Sequence, residues 1–436
     1  MKQYQSVKYV IYSIILLVLL HVSPIVFAQN TLSYYIEQAK QNSPFIQDNK
    51  NQSEAAKLEI ERIKAFYTKP QITLTGTLAV SPIINQDNGK SELNISPTDA
   101  NKYYGYDIAA SNGGIYQGLV NVNQNLFSTS KYQTASQQAI IGAKINQNNI
   151  QLSSHDLEKF ITDQYILCLQ DLKQVDYING LIQLLTEQKN ISLKLAESGL
   201  LKQSDLLLIN IEYQTQQNAI NTFKATYRRD LMDLNVICGI NDTTYTALQD
   251  FSLTINQTII NDSKYTERFR LDSLNLIATQ RIFELKYKPQ LSAFANAGLN
   301  GVYVPTLPNR LGASAGVTFT MYIFDGRQRN LNQQKINLLV KSTQAYKSKF
   351  INQNTIRKNK LLNEIQSLDE RMTITSNQLI EYKQLLDFYK KEIATGQQSI
   401  VTYINSIKNI ALLQRDFVLM QTNKQLLINN YNYWNW

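Results

Sequence analysis

Four stretches of the chain alternate between apolar and polar side chains over about ten residues each. In 71–80, Ile72, Leu74, Leu78 and Val80 are interleaved with Gln71, Thr73, Thr75 and Thr77. In the lower part of 115–127, Val120, Val122 and Leu126 alternate with Asn121, Asn123 and Asn125. In 290–300, Leu291, Ala293, Ala295, Ala297 and Leu299 share one face, opposite Ser292, Asn296 and Asn300, and Phe294 breaks the pattern. In 312–323, Ala313, Ala315, Val317, Phe319, Met321 and Ile323 lie opposite Ser314, Thr318 and Thr320. Period two predicts strands with one apolar and one polar face, at about 71–80, 114–127, 290–302 and 312–324. Strands of ~9–11 residues are long enough to cross a bilayer when tilted.

Between these strands the period changes. From Phe127 to Gly199 and from Phe324 to Gly396 no proline interrupts the chain. At ~1.5 Å per residue, about 70 helical residues make a rod of roughly 100 Å. Leu361, Ile365, Leu368, Met372, Thr375, Leu379, Tyr382, Leu386, Tyr389 and Ile393 follow alternating steps of four and three, a coiled-coil seam with one polar member. Long helices are therefore expected over about 128–198 and 325–395, with return helices over about 200–237 and 397–435. Lead-in helices are expected at 31–67 and about 266–287. Pro70 and Pro289 end them, because proline cannot donate to a helix and biases its predecessor to extended geometry.

The chain is internally duplicated. "KPQITLTGTLAV" matches "KPQLSAFANAG", "QNLFSTSKYQ" matches "MYIFDGRQRN", and "LAESGLLKQSDLLLIN" matches "EIATGQQSIVTYINS". The interval from Phe127 to Gly199 equals that from Phe324 to Gly396, so the matching landmarks keep one frame. The interval from Pro70 to Phe127 is longer than that from Pro289 to Phe324, so the first unit carries an insertion between its strands. One unit spans 29–245 and the second 266–436, joined by a linker or equatorial region at 246–265. Each reads helix, strand, loop, strand, very long helix, turn, helix. Gly199 and Gly396 sit at the reversals, where glycine permits a left-handed backbone. At the strand-to-helix junctions, Phe127 and Phe324 close the strands. Asp325, followed by Gly326, suits the start of a helix, and Ser128 or Thr129 is expected to cap its counterpart.

Four strands cannot close a barrel, and open strand edges are not tolerated in lipid. Several chains must therefore pool strands, and eight or more strands are needed. The Ser, Thr, Gln and Asn faces would line a watery lumen and the apolar faces would meet lipid. Loop 81–113 is long and polar and loop 302–311 is short, as suits a barrel with its loops outward. Tyr103, Tyr104 and Tyr106 fit an interfacial girdle.

The first residues, "MKQYQSVKYVIYSIILLVLLHVSPIVFAQN", have the basic start, apolar run and small-residue site of a cleavable signal peptide, 1–28. Removing Lys2 and Lys8 with it lowers the net charge from +9 to +7. The basic residues are thinly spread and the protein is exported, which argues against nucleic acid. Cys168 and Cys238 fall at different heights on an antiparallel helix pair, so free buried thiols are expected over a disulfide. His155, on a helix, has no sequence neighbour to work with. No catalytic set, metal-ligand spacing or phosphate loop is present, so no enzyme activity, metal or cofactor is expected.

Taken in order, "TLSYYIEQAKQNSPFI", "YKPQLSAFANAG", "YIFDGRQRN", "ESGLLKQSDLLL" and "ATGQQSIVTYINS" resemble the TolC-type outer-membrane efflux and secretion channel family over nearly the whole mature chain. The resemblance implies a mainly α fold with a membrane β-barrel portion. It implies a homotrimer in which twelve strands form one barrel in outer-membrane lipid, continued by a long α-helical periplasmic barrel. It also implies an exit duct for small molecules or polypeptides, docked to a periplasmic adaptor protein and an inner-membrane RND or ABC transporter. The turns at Gly199 and Gly396 would form the periplasmic tip that adaptors grip. Acidic residues after this turn narrow the aperture in the family. Here Asp205 matches the first-half position, whereas Thr402 and Asn405 are uncharged, and Gln398 stands where many members carry a basic residue. Asp205 could bond Gln398 or Tyr403, giving a tip held by neutral contacts and less cation-selective than the family pattern. The competing readings are an exported coiled-coil structural or adhesive protein without a pore, and a periplasmic adaptor, which would carry one helical hairpin instead of two.

Overall fold

A computed structural model describes residues 31–86, 90–94, 103–104, 114–257, 263–302 and 304–436. The signal peptide and Tyr106 lie outside the described residues. The chain divides into two compact units, one from the described residues of 1–49, 149–266 and 348–436, the other from those of 50–148 and 267–347.

Seven α-helices are present among the described residues: α1 (Leu32–Asn42), α2 (Pro44–Thr68), α3 (Thr129–Glu197), α4 (Gln203–Cys238), α5 (Lys264–Glu284), α6 (Gln328–Ala394) and α7 (Ile400–Trp434). None is long and apolar enough to cross a membrane. The first lead-in helix is two helices where one was expected. Pro44 restricts Ser43, which is extended at φ −69°, ψ 113°, and the helix restarts at the proline. Ser43 then serves the restart, its hydroxyl accepting from the Ile46 amide at 3.4 Å.

The sheet-bearing unit holds β1 (Gln71–Val80), β5 (Gly114–Leu126), β6 (Gln290–Gly301) and β7 (Leu311–Thr320), in the order β1-β5-β6-β7. Every neighbouring pair is antiparallel. β1 and β7 each have one neighbour, so both outer edges of the sheet are unpaired within the chain. The extra residues of the first repeat contain a second sheet, β2 (Ile83–Asn85) between β3 (Glu92–Asn94) and β4 (Tyr103–Tyr104), in what was read as loop. Pairing of β7 stops at Thr320, opposite Gln290, earlier than the alternation to Ile323 suggests. Pro289 stands where the next partner would be, and it has no N–H to offer a ladder. At the helical end, the Ser128 hydroxyl donates to the Tyr67 carbonyl at 2.6 Å, tying α2 to the start of α3 instead of capping α3. Gln138 of α3 donates to Thr279 of α5 at 3.0 Å, and Asn332 of α6 to Gln280 of α5 at 2.6 Å.

The other unit is packed from helices. One core joins Tyr35 and Ala39 of α1, Ile161, Tyr165 and Cys168 of α3, and Tyr227, Leu234 and Cys238 of α4. Both cysteines are free and buried, as the offset along the helix pair predicted. A second core joins Leu181 and Leu185 of α3, Ile209 of α4, Leu379, Leu386 and Ile393 of α6, and Ile400, Ile404 and Ile407 of α7. Every position of the seam read on α6, from Leu361 to Ile393, is buried or half-buried. The polar member, Thr375, donates to the Arg371 carbonyl at 3.0 Å, which satisfies its hydroxyl.

Residues 239–257 have no regular structure, so their backbone groups need other partners. Side chains from the helices supply them. Tyr165 donates to the Gln249 carbonyl (2.7 Å), and Tyr227 donates to the Thr246 carbonyl while accepting from the Leu248 amide (3.2 Å). Gln425 accepts from the Leu253 amide (2.6 Å), Asn432 bonds Asn256 N–H and Thr254 C=O (2.7 and 2.8 Å), and Asn435 donates to the Asn256 carbonyl (2.9 Å). The Asn-rich end of α7 is thus a clamp on this segment. Tyr227→Phe removes a hydroxyl that serves two backbone groups, one of them a buried amide, and is expected to cost about 1–3 kcal/mol. Thermal unfolding of the variant beside the parent checks this, and an unchanged midpoint would contradict it.

Candidate functional site

The sheet registers put every alternation in phase. Ile72, Leu74, Leu78 and Val80 of β1 stand beside Val122, Val120, Tyr116 and Gly114 of β5. The first three of these stand beside Ala295, Ala297 and Gly301 of β6, and Leu291, Ala293, Ala295, Ala297 and Leu299 stand beside Phe319, Val317, Ala315, Ala313 and Leu311 of β7. One continuous apolar face results. It is not covered by its own chain: Leu74 is 79% exposed, Leu78 80% and Leu311 77%. A large exposed apolar surface of this kind marks contact with lipid or with another protein.

The opposite face carries Thr73, Thr75, Gln117, Asn121, Asn123, Ser292, Asn296, Asn300, Ser314 and Thr318. It is stitched across all three strand pairs. Asn121 donates to Thr75 (2.8 Å), Gln117 to Asn300 (3.0 Å) and Ser314 to Asn296 (2.8 Å). Phe294, which like Leu119 and Ile115 of β5 departs from the polar pattern of this face, is paired with Gly316, and its ring fills the space a side chain there would need. An aromatic laid over a strand glycine covers exposed backbone, which accounts for the break in alternation. None of the four strands contains a charged residue. The face is therefore wettable and without formal charge.

At the hairpin turns the two repeats use the same bonds. Gly199 has φ 71° and Gly396 φ 72°. The Gly199 amide bonds Ala196 O (3.0 Å) and the Leu200 amide Leu195 O (2.8 Å); the Gly396 amide bonds Ile393 O (3.1 Å) and the Gln397 amide Glu392 O (2.8 Å). These are paired helix-terminating bonds around a left-handed residue. The return helices start later than expected, at Gln203 and Ile400, because Lys202 and Ser399 are extended. Ser399 caps α7 by accepting from the Val401 amide (3.2 Å), whereas Lys202 offers α4 no side-chain cap. Asp205 lies in the first turn of α4, where a negative charge suits the helix N-terminus. The Gln398 side chain accepts from the Ser399 amide at 2.9 Å. Thr402 is half-buried and Asn405 exposed. Tyr403 is 1% exposed and belongs to the core with Ile400, Ile404 and Ile407, and burial pushes its phenol up. Within the chain its side chain is packed on the apolar stripe of α7.

At the junctions Phe127 and Phe324 are 89% and 84% exposed. Asp325 accepts from the amides of Arg327 (2.9 Å) and Arg329 (2.8 Å), so its carboxylate caps α6 across a left-handed Gly326–Arg327 pair. His155 does have partners: Glu158, three residues on, lies 3.9 Å from its Nδ1, and others come from far along the chain. Its ring is stacked on Tyr433 and Trp436, at 4.9 and 4.0 Å, and bonds the Tyr433 carbonyl at 3.0 Å. Among the described residues no group of three or more His, Cys, Asp or Glu is arranged to hold a metal ion.

No protein-family model and no curated protein matches the chain. Its fold matches the outer membrane protein VceC from Vibrio cholerae, at TM-score 0.68 and 12% identity over 93% of this chain and 96% of that one. It also matches the outer-membrane channel OprN (0.67, 10%, 93% and 89%) and the Campylobacter jejuni CmeC outer membrane channel (0.65, 11%, 93% and 85%). Mainly helical with a small sheet, the chain has the fold of the TolC-type outer-membrane channels. Nothing lies within 4 Å of a Cβ built at Gly199 or Gly396, so backbone conformation is what requires glycine there. Gly199→Ala and Gly396→Ala are each expected to cost about 1–2 kcal/mol, without disturbing the sheet. Hydrogen exchange should rise in Leu195–Gln203 or Glu392–Ile400 respectively, and unchanged exchange at both turns would contradict the assignment.

Proposed function

We propose that the chain is the outer-membrane exit duct of a multi-component export system. Copies join edge to edge, β7 of one beside β1 of the next, and close one barrel. The observation that carries this is a sheet of four strands with an uncovered apolar face, a stitched neutral polar face and two unpaired edges. Because every step from β1 to β7 is antiparallel, β1 and β7 run in opposite directions, and any whole number of copies closes an all-antiparallel ring. Three copies supply twelve strands, within the range of membrane barrels, and the resemblance of the sequence motifs to trimeric channels favours three. The apolar face meets outer-membrane lipid and the Thr, Asn and Gln face lines the lumen.

The long helices continue the duct on the periplasmic side. The matching turns at Gly199 and Gly396 are the surface a periplasmic adaptor would grip, with an RND or ABC transporter behind it. Solutes or polypeptides pass through an uncharged barrel wall, so choice of cargo falls to the pump. Asp205 is the charged candidate at the aperture, with Gln398, Thr402 and Asn405 as neutral neighbours.

The purified protein in a planar bilayer should conduct ions, and native mass spectrometry should give three copies. A monomer without conductance would overturn the duct reading and favour a structural or adhesive role. In a salt gradient the pore should be weakly cation-selective, and Asp205→Asn should remove most of that preference. Strong cation selectivity that survives the substitution would contradict a tip held by neutral contacts.

A further inference from the structure

We propose that Asp171 of α3 keeps its proton in the folded chain and donates it in a hydrogen bond to the Asp230 carboxylate of α4, forming a clamp between the two helices that holds in acid and is lost as pH rises through neutrality. Asp171 is 2% exposed, and its Oδ2 is buried with no hydrogen-bond donor in reach. The group facing it is a second carboxyl, that of Asp230, whose side chain is 14% exposed. A buried carboxyl facing a carboxylate is driven to its neutral form, and that form can donate to the carboxylate. A protonated Asp171 therefore supplies the donor that the heavy-atom geometry lacks.

The surroundings do not offer another solution. On α4, Arg229 is the cation acting on Asp171, but it is exposed and already paired with Asp230 at 2.9 Å. Asp233, also on α4, adds negative charge at Cys168, one turn before Asp171 on α3. Lys173 of α3 is paired with Asp250 of the 239–257 segment at 3.5 Å. On α7, Arg415 is paired with Asp416 at 3.3 Å, and its carbonyl accepts from Gln174. Burial first, and then Asp230, push Asp171 up to about 7 from an ordinary value near 3.8.

The duplication sharpens the point. Asp171 stands as far after Phe127 as Leu368, a member of the α6 seam, stands after Phe324. The second repeat fills the equivalent position with an apolar side chain, so burying a carboxyl is particular to the first. The folded chain holds a proton at Asp171 that the unfolded chain has released above its ordinary value. The stabilisation is therefore complete below about pH 4 and is lost as pH rises through about 7. This inference does not depend on the duct reading, since it concerns the α3–α4 pair in any setting.

The test compares thermal unfolding of the detergent-solubilised full chain with that of Asp171→Asn and of Asp171→Leu, the latter taking the residue of the second repeat. Between about pH 5 and 8, the folded-to-unfolded ratio of the parent should fall relative to either variant, by up to ~tenfold per pH unit. Infrared difference spectra should show a protonated-carboxyl band in the parent near pH 5 that is missing in Asp171→Asn. Stability curves that stay parallel across this range, or a carboxyl band unchanged by the substitution, would overturn the proposal. Should Asp171→Asn fail to fold, Asp171→Leu carries the same expectation in the stability comparison.

Discussion

The unpaired edges of the β1-β5-β6-β7 sheet are the constraint from which the rest follows. A strand edge presents a row of backbone N–H and C=O groups that must find partners, and in lipid water cannot serve. The sheet also presents an apolar face that its own chain leaves bare, with leucines about four-fifths exposed. Both deficits are removed together if copies meet at β1 and β7 and the apolar face turns to lipid. Neither is removed by refolding within one chain, since the strands leave directly into long helices at one end and are joined by loops at the other.

The neutrality of the opposite face has a functional consequence. If this face lines a lumen, as proposed, its Thr, Ser, Asn and Gln side chains would meet passing solutes with hydrogen bonds that water can replace. The side-chain bonds across each strand pair hold these polar groups in place.

Much of this was legible in the sequence because the periods are strong. The strand faces follow from strict alternation, the α6 seam from its four-three steps, and the hairpin turns from two glycines at equal distances from two phenylalanines. What escaped was set by contacts distant in sequence. Phe294 looked like an error in a polar face until its pairing with Gly316 on the next strand explained it. Tyr403 was read only as a polar side chain near the turn, and its packing with Ile400, Ile404 and Ile407 became visible only in the fold. His155 was read without its i+3 neighbour Glu158, and its stacking partners come from the chain's last residues. The break at Pro44 was readable in principle, since the same proline rule that ended the helices at Pro70 and Pro289 applies there. The Asn and Tyr side chains that satisfy residues 239–257 carry no local signal, because most of them belong to helices far from that segment along the chain.

Amide hydrogen exchange on the lipid-embedded protein tests edge-to-edge closure most directly. In a closed barrel, the amides of β1 and β7 that point away from β5 and β6 are bonded to the neighbouring copy. They should then be as protected as the amides of the two central strands. Rapid exchange at those outward-pointing amides, with β5 and β6 protected, would mean that the edges are open and that the copies do not form a barrel.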